Sequence, residues 1–254
     1  FPFYYYMHCN ELIAPCVYAK EQYKQAFRLS FRNQKDYDQI IILGQPRNDA
    51  LNATYHLPRS SLTASPTLPL THKDQKIISW LPTHRKGQNK NILDLIMQSK
   101  LSLQYLNHFC KKYNLLFVIK PHFLEVSQLS QEVAHYGSIS LYNDVDPCPL
   151  LKQTDILITD YSSAYFDFLL TQRPIIFAPF DYYEYSRTTD FYQSYQSLTP
   201  GKLCAHWEEI FQEILLLLKG DDKYKQDREQ LLHSFSFANN ASKLVYARYF
   251  KDKE

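Results

Sequence analysis

The sequence predicts an α/β fold in which a parallel β-sheet is covered by helices on both faces. Short runs such as Leu115–Ile119 and Pro174–Ala178 are almost continuously apolar, as expected for strands that are buried on both faces. Longer stretches with apolar residues at helical spacing, such as Trp207–Lys219, separate these runs. This alternation is typical of parallel sheets whose crossover connections are helices.

Each predicted strand is a short apolar run bounded by polar residues, glycine or proline. The first ends at Gly44 and the second ends before Pro82. In chain order the predicted strands are Gln39–Leu43, Lys76–Leu81, Leu115–Ile119, Ser138–Tyr142, Asp155–Thr159 and Pro174–Ala178.

The helices are predicted from apolar residues that recur every three or four positions. Gly137 and Gly220 mark two of their ends. In chain order they are Ile92–Tyr113, Val126–Tyr136, Pro149–Gln153, Ser163–Gln172, Trp207–Lys219, Lys223–Ser234 and Asn239–Lys251. The last of them could cross back to an N-terminal domain that is missing from this chain.

The domain organisation is predicted from one polar stretch and from the first residue. Leu57–Thr71 is rich in Pro, Ser and Thr and is interpreted as a linker. We therefore predict that residues 1–70 are the tail of an N-terminal domain with its linker, and that residues 71–254 form a C-terminal domain. The chain opens at Phe1 rather than at a methionine, so we expect it to be a fragment of a longer protein.

Composition excludes several classes of function. There are 28 Lys and Arg against 26 Asp and Glu, a net charge of +2, whereas a dedicated nucleic-acid binder carries a stronger basic excess. With 5 glycines, the chain contains no Gly-rich phosphate loop. The 5 cysteines are scattered and form no CxxC pair, which argues against disulfides and a zinc site and favours a reducing, cytoplasmic setting. No apolar run reaches the roughly 18 residues of a membrane span.

Polar side chains that can bind an anion follow three of the predicted strands. Because ligands of parallel sheets bind beyond the carboxyl ends of the strands, these positions are the candidate site. The residues are Thr83, His84 and Arg85 after the strand Lys76–Leu81, Lys120 and His122 after Leu115–Ile119, and Asp160, Ser162 and Ser163 after Asp155–Thr159.

Together these residues predict a phosphate site built without a glycine loop. Ser162 or Ser163 would cap a helix whose free N–H groups and dipole favour an anion. Taken singly, each residue has a purely structural alternative: a strand-end histidine, a serine cap, an aspartate that ties a turn, or a solvated arginine. The convergence at successive strand ends favours the site.

A second cluster follows the strand Pro174–Ala178. Arg187 lies in a tyrosine-rich stretch and could add positive charge beside a diphosphate. Glu208 and Glu209 begin the helix Trp207–Lys219. The alternatives are a surface loop packed by tyrosines and, for one of the two glutamates, simple stabilisation by the helix dipole.

Several motifs, in the same order and at similar spacing, resemble the CDP-glycerol glycerophosphotransferase family of teichoic-acid primases, polymerases and capsule relatives. The most specific is Asp155–Phe168 (DILITDYSSAYFDF), followed by Arg173–Asp181 (RPIIFAPFD). The others are Gly44–Asp49 (GQPRND), Pro82–Arg85 (PTHR) and Lys120–His122 (KPH). The resemblance covers about residues 40–215.

The resemblance implies a GT-B type fold with two Rossmann-like domains, of which this chain would contain the C-terminal, nucleotide-donor domain. His122, Ser162 and Ser163 would contact the donor's phosphates, with Arg85 and Arg187 nearby. Glu208 or Glu209 would suit the ribose. The family's His-Gly motif, associated with the acceptor, does not occur here and is expected upstream of Phe1.

The implied function is transfer of glycerol phosphate from CDP-glycerol to a polyol or sugar hydroxyl of a lipid-linked teichoic-acid-like or capsular polymer, with release of CMP. His122 and Arg85 would be catalytic, and the remaining strand-end and helix-start residues would bind the donor. The resemblance also implies peripheral attachment at the inner face of the cell membrane. The sequence shows no Asp-rich metal motif, so we expect no metal and no cofactor beyond the donor substrate.

Two alternatives remain open. The first is a GT-B glycosyltransferase or a ribitol-phosphate transferase that uses another nucleotide donor at the same phosphate site. The second is a non-catalytic domain that binds a nucleotide or acts as a scaffold in a polymer-synthesis complex.

Overall fold

The computed structural model describes residues 10–26, 38–51, 74–85, 91–122, 125–189, 191 and 193–251. It divides the chain into two compact units, residues 56–228 and residues 1–55 together with 229–254. The sequence placed residues 229–254 in the C-terminal domain, whereas the structure groups them with the N-terminal residues. The predicted linker, residues 57–71, lies outside the described residues.

The larger unit contains a six-stranded, fully parallel sheet in the order β5-β4-β3-β6-β7-β8. The order reverses between β3 and β6, which is the place where open α/β sheets bind their ligands. The strands are β3 (Lys76–Leu81), β4 (Leu115–Ile119), β5 (Ile139–Leu141), β6 (Ile156–Thr159), β7 (Ile175–Phe177) and β8 (Lys202–Leu203).

Helices connect these strands and cover the sheet. Apolar side chains from the sheet and from the helices form one core, in which Trp80 of β3 meets Trp207 edge to face at 5.1 Å between ring centroids. The helices are α2 (Ile92–Gln98), α3 (Leu103–Lys112), α4 (Val126–Val133), α5 (Cys148–Gln153), α6 (Ala164–Leu169), α7 (Tyr182–Thr188) and α8 (Trp207–Leu218). The predicted α/β class with a Rossmann-like parallel sheet is confirmed.

The predicted single helix Ile92–Tyr113 is wrong, because the structure has two helices there. Lys100 adopts a left-handed conformation with φ 56°, which ends a right-handed helix. Ser102 then starts α3 by accepting a hydrogen bond on its side chain from the N–H of Tyr105 at 3.2 Å. Local capping chemistry therefore overrides the apolar periodicity.

Two further differences concern short elements. The helix predicted over Ser163–Gln172 is only Ala164–Leu169, and Gln172 has φ 59°. The sequence did not predict α7 or β8, which are too short to show a clear period.

The smaller unit contains a two-stranded parallel sheet of β1 (Leu12–Ala14) and β2 (Ile40–Ile42). α1 (Val17–Ala26) and a 3₁₀ helix (Pro46–Ala50) accompany it. α9 (Lys225–Phe235) and α10 (Ala241–Tyr249) end the described chain, and the division between the units falls within α9. Among the described residues, every helix is too short or too polar to cross a lipid bilayer.

The Gly44–Asp49 motif anchors α10 within this unit. Both carboxylate oxygens of Asp49 accept hydrogen bonds at 2.8 Å from backbone N–H groups of the first turn, those of Ala241 and Ser242. Gly44 has φ 78°, and a Cβ added there would lie 2.8 Å from the Cβ of Ala241. Glycine is therefore required both by the conformation and by the close approach.

Candidate functional site

Asp160 connects the loops that follow β3 and β6, the two strands at the point where the sheet order reverses. Its side chain is buried and accepts hydrogen bonds on Oδ1 from the N–H of Thr83 at 2.8 Å and from the hydroxyl of Thr83 at 2.7 Å. The N–H of Tyr161 donates to the same oxygen at 2.6 Å. Asp160 and Thr83, both predicted site residues, therefore hold the two loops together.

Arg85 lies between two carboxylates at this edge. Its Nε donates to Oδ2 of Asp181 at 2.7 Å, and its Nη2 donates to Oδ1 of Asp181 at 2.9 Å and to Oδ2 of Asp160 at 2.8 Å. Arg85 is 5% exposed. Burial opposes its charge, but Asp160 and Asp181 outweigh burial and raise the pKa of Arg85.

This pairing changes what Arg85 can do. Burial on its own would raise the pKa of Asp181, yet the hydrogen bonds and charge of Arg85, with the hydroxyl of Tyr161, hold that pKa below its usual value. Asp181 thus carries its charge beside the guanidinium at neutral pH. Arg85, Asp160 and Asp181 together form a clamp that joins the loops after β3, β6 and β7. The predicted place of Arg85 beside the donor's phosphates stays a prediction.

Two tyrosine rings cover this clamp. Tyr161 and Tyr185 stack at 3.8 Å between ring centroids with an interplanar angle of 9°. The guanidinium carbon of Arg85 lies 5.1 Å and 5.3 Å from these two rings, at distances typical of cation–π contacts. Burial, followed by the charges of Asp181 and Asp160, raises the pKa of Tyr161. The phenol therefore stays protonated.

The histidines after β3 and β4 form a stacked pair. The rings of His84 and His122 lie 4.3 Å apart between centroids, with an interplanar angle of 22°. Burial, and then the neighbouring His84, lower the pKa of His122, while Glu125 opposes this shift. His122 is therefore mainly neutral at neutral pH in the chain without ligand. The structure brings these two predicted residues together.

Lys120 has partners of its own on the loop that follows β5. Its ammonium donates to the backbone carbonyl of Asp144 at 2.8 Å and lies 5.7 Å from the ring centroid of Tyr142. Burial lowers its pKa, against the opposing charges of Asp144 and Asp146. The structure thus gives this predicted donor ligand a partner on the loop after β5.

Ser162 and Ser163 lie at the start of α6. The side-chain oxygen of Ser162 accepts a hydrogen bond from the N–H of Ala164 at 3.3 Å. Ser163 is exposed and makes no capping hydrogen bond with its side chain. The two serines lie in the loop and first turn after β6, which ends at Thr159, and β6 is the neighbour of β3 in the sheet. They therefore lie at the same edge of the sheet as the histidine pair.

The second predicted cluster is not gathered at the clamp. Arg187 is exposed and donates from Nη2 to the hydroxyl of Tyr183 at 2.7 Å. Glu209 accepts a hydrogen bond from the N–H of Ala205 at 2.8 Å at the start of α8. Glu208 is exposed on the wall of a groove of about 610 Å³ between α3 and α8. This hydrogen bond gives Glu209 a structural partner at the start of α8, and the predicted roles of Arg187, Glu208 and Glu209 at the donor stay predictions.

Two residues of this edge were not predicted as site residues. Asp181 lies four residues after the last residue of β7, Phe177, so its position after a strand was a usable signal. Glu125 lies three residues after His122, in a segment that carries no motif, and sequence reasoning gave no reason to select it. Within the described part of the chain, no group of three or more His, Cys, Asp or Glu is arranged to hold a metal. The expectation of metal-independent chemistry stays a prediction.

Comparison with known proteins shows which family this sequence is similar to. The family model described as CDP-Glycerol:Poly(glycerophosphate) glycerophosphotransferase matches residues 5–250. A teichoic acid poly(glycerol phosphate) polymerase of Bacillus spizizenii is 32% identical over 225 residues, covering 85% of this chain and 52% of that protein. The teichoic acid ribitol-phosphate polymerase TarL of Staphylococcus aureus is 27% identical over 191 residues, covering 74% of this chain and 32% of TarL. The chain therefore spans between about a third and about a half of these two relatives.

Solved structures give the same picture of the fold. The H444N variant of the wall teichoic acid polymerase TagF superposes with a TM-score of 0.79 at 23% identity, covering 97% of this chain and 58% of that one. A structure of the same variant described as soaked with CDPG for 15 minutes has a TM-score of 0.72 at 26% identity, covering 95% of this chain and 57% of that one. The predicted fold class, α/β of the GT-B type, is confirmed.

Proposed function

We propose a function for this chain on the basis of its family. The chain belongs to the CDP-glycerol:poly(glycerophosphate) glycerophosphotransferase family. The chain would supply the donor side of a transferase that moves glycerol phosphate from CDP-glycerol to a hydroxyl of a lipid-linked teichoic-acid-like polymer, releasing CMP. The observation that carries this proposal is the stacked His84–His122 pair, which lies at the carboxyl ends of β3 and β4. Ser162 and Ser163 follow β6, the strand next to β3, at the same edge of the sheet.

In the proposed reaction, the acceptor hydroxyl attacks the β-phosphorus of CDP-glycerol. A new P–O bond forms to the acceptor, and the bond from that phosphorus to the bridging oxygen breaks. The proton of the hydroxyl passes to a general base. We assign that role to none of the candidate residues described above. The electron pair and negative charge leave on CMP.

The proposed contribution of this chain is positioning and charge stabilisation. His122 and His84 would donate hydrogen bonds to the phosphates, and the hydroxyls of Ser162 and Ser163 would donate from the neighbouring loop. Arg85 would act through Asp160 and Asp181 by fixing the loops that carry these groups. Peripheral contact with the inner face of the membrane is part of the proposal, because the polymer acceptor is lipid-linked.

A ribitol-phosphate donor is the second candidate. It is supported by the likeness to TarL, whose name specifies ribitol phosphate. A site that binds the nucleotide and its two phosphates would accept either polyol, so the choice of polyol needs a direct comparison of donors.

The experiment is calorimetric titration of the chain with CDP-glycerol, CDP-ribitol, CMP and UDP-glucose. We expect cytidine nucleotides to bind in preference to UDP-glucose. We expect the double variant Ser162→Ala/Ser163→Ala to bind CDP-glycerol at least tenfold more weakly, because two hydrogen-bond donors to phosphate are lost. Ser234→Ala, an exposed serine on α9, is the matched control and should bind as the wild type does. A folded chain that binds none of these nucleotides would contradict the proposal.

The expected independence from metal is tested separately, in a turnover assay with CDP-glycerol and a lipid-linked acceptor. Turnover should survive EDTA, because the proposed groups are protein side chains and helix N–H groups. Loss of turnover in EDTA, restored by a divalent cation, would contradict this part.

A further inference from the structure

Glu125 contacts both the start of a helix and one of the histidine loops. It is 8% exposed. Its Oε1 accepts a hydrogen bond from the N–H of Ile92 at 2.9 Å, in the first turn of α2. Its Oε2 accepts one from the N–H of His122 at 3.3 Å. One carboxylate therefore joins the start of α2 to the loop that follows β4.

The same oxygen faces the second histidine. Oε2 of Glu125 lies 3.9 Å from Nδ1 of His84. That nitrogen is buried and has no hydrogen-bond partner among the described residues. A proton on Nδ1 would point at the carboxylate, and a shift of less than about one ångström would close a hydrogen bond. The geometry thus favours the neutral tautomer of His84 that carries its proton on Nδ1.

The stacked arrangement limits how much charge the pair can hold. Two protonated imidazoles at 4.3 Å between centroids would repel each other strongly in a half-buried site. Among the charges that act on His122, Lys120 disfavours protonation and Glu125 favours it. Because a second proton would be repelled by the first, Glu125 stabilises one proton on the pair rather than two.

We propose that Glu125 is a positioning residue that orients the stacked His84–His122 pair and lets it carry a single proton toward the donor's phosphates. The last clause rests on the proposed function, whereas the orientation and the single proton do not. Glu125 approaches the pair from the side of α2 and α4. An anion at the sheet edge would approach it from the other side, and the pair would share its proton between the two.

The test is an NMR titration of the imidazole nitrogens in the full 254-residue chain without ligand. In the wild type we expect His84 to hold its neutral proton on Nδ1. In Glu125→Gln, which keeps an acceptor for Ile92 but loses the charge, we expect the titration midpoint of His122 to fall by about one unit. Glu132→Gln removes an exposed carboxylate from the same helix, α4, and should leave the midpoint unchanged.

Two results would overturn the inference. One is a neutral His84 protonated on Nε2 in the wild type, which can be measured even if Glu125→Gln does not fold. The other is a folded Glu125→Gln variant in which the midpoint of His122 stays at its wild-type value.

A binding measurement separates this inference from the proposed function. Near pH 6.5 we expect Glu125→Gln to bind CDP-glycerol about tenfold more weakly than the wild type, with a smaller difference near pH 8, where the pair has lost its proton. A wild type that does not bind CDP-glycerol would contradict the proposed function and the phosphate clause. The NMR result would still decide whether Glu125 orients the pair.

Discussion

At the scale of single residues, the clearest feature is a buried arginine held by two carboxylates. Arg85, Asp160 and Asp181 are each less than a tenth exposed at the side chain. Such a pair adds little stability compared with apolar residues of the same size, but removing one partner leaves a buried charge uncompensated. The arrangement therefore defines the loop geometry more than it adds stability.

Replacing one carboxylate tests this clamp. We expect Asp181→Asn to lower the free energy of unfolding by about 3 kcal/mol near neutral pH, because Arg85 keeps its charge with one carboxylate fewer. The folded pKa of Asp181 is lowered, so its contribution is complete above its unfolded pKa of about 3.9 and is lost as the pH falls through the folded value. The difference from the wild type should therefore shrink below about pH 4.

Urea unfolding at several pH values measures this difference. Asp227→Asn removes an exposed carboxylate from α9 and is the matched control, with little expected change at any pH. A difference for Asp181→Asn that persists unchanged in acid would show that the loss is not electrostatic.

His122 gives a second prediction at this scale. Burial and His84 keep its pKa low in the free chain, and a bound phosphate would raise that pKa by adding a nearby negative charge. Binding of CDP-glycerol near neutral pH should therefore take up protons, by a fraction of one proton per site. Calorimetry in buffers of different ionisation enthalpy measures this uptake. His122→Asn should abolish it, and a wild type without uptake would place the phosphates elsewhere.

At the scale of elements, the apolar pattern of the sequence predicted those helices and strands whose positions are determined by burial. The inner strands of the larger sheet are buried on both faces, so their sequences are apolar runs that predict strands directly, as β4 shows with all five residues buried. The same apolar pattern continues across the break between α2 and α3, so it predicted one helix where there are two. The break depends on the left-handed conformation of Lys100 and on the cap at Ser102. Periodicity does not report either feature.

The candidate site also has a part that the sequence predicts and a part that it does not. Strand ends could be predicted because parallel strands present their carboxyl ends at one edge, and that placed His84 beside His122. Partnerships between loops could not, because they depend on loop conformations with no periodic signal. The contacts of Asp181 and Glu125 belong to this second kind.

The anchoring of α10 provides a prediction for one element. Gly44→Ala should lower the free energy of unfolding by about 2 kcal/mol, since alanine is strained at positive φ and its Cβ would meet Ala241 at 2.8 Å. Gly137→Ala is the matched control, because a Cβ there meets nothing within 4 Å. Thermal or urea unfolding compares the two variants, and equal stability would contradict the close approach.

At the scale of the whole molecule, the chain leaves one unit and returns to it. Residues 1–55 and 229–254 form one unit, and residues 56–228 form the other. All the candidate site residues, from Thr83 to Glu209, belong to the second unit. The proposed donor site should therefore not depend on the first unit for its fold.

Removing residues 239–254 tests this independence. The deletion takes away α10, so Asp49 loses both N–H partners and Ala241, a buried residue of the smaller unit, is lost. We expect amide hydrogen exchange to accelerate in Leu12–Ala14 and Ile40–Ile42, while the strands β3, β4 and β6 keep their protection. Binding of CDP-glycerol by the truncated chain should stay within about threefold of the wild type. If the truncation instead abolished the protection of amides from exchange in both sheets, the two units would fold as one cooperative structure. The fold of the donor site would then depend on α10.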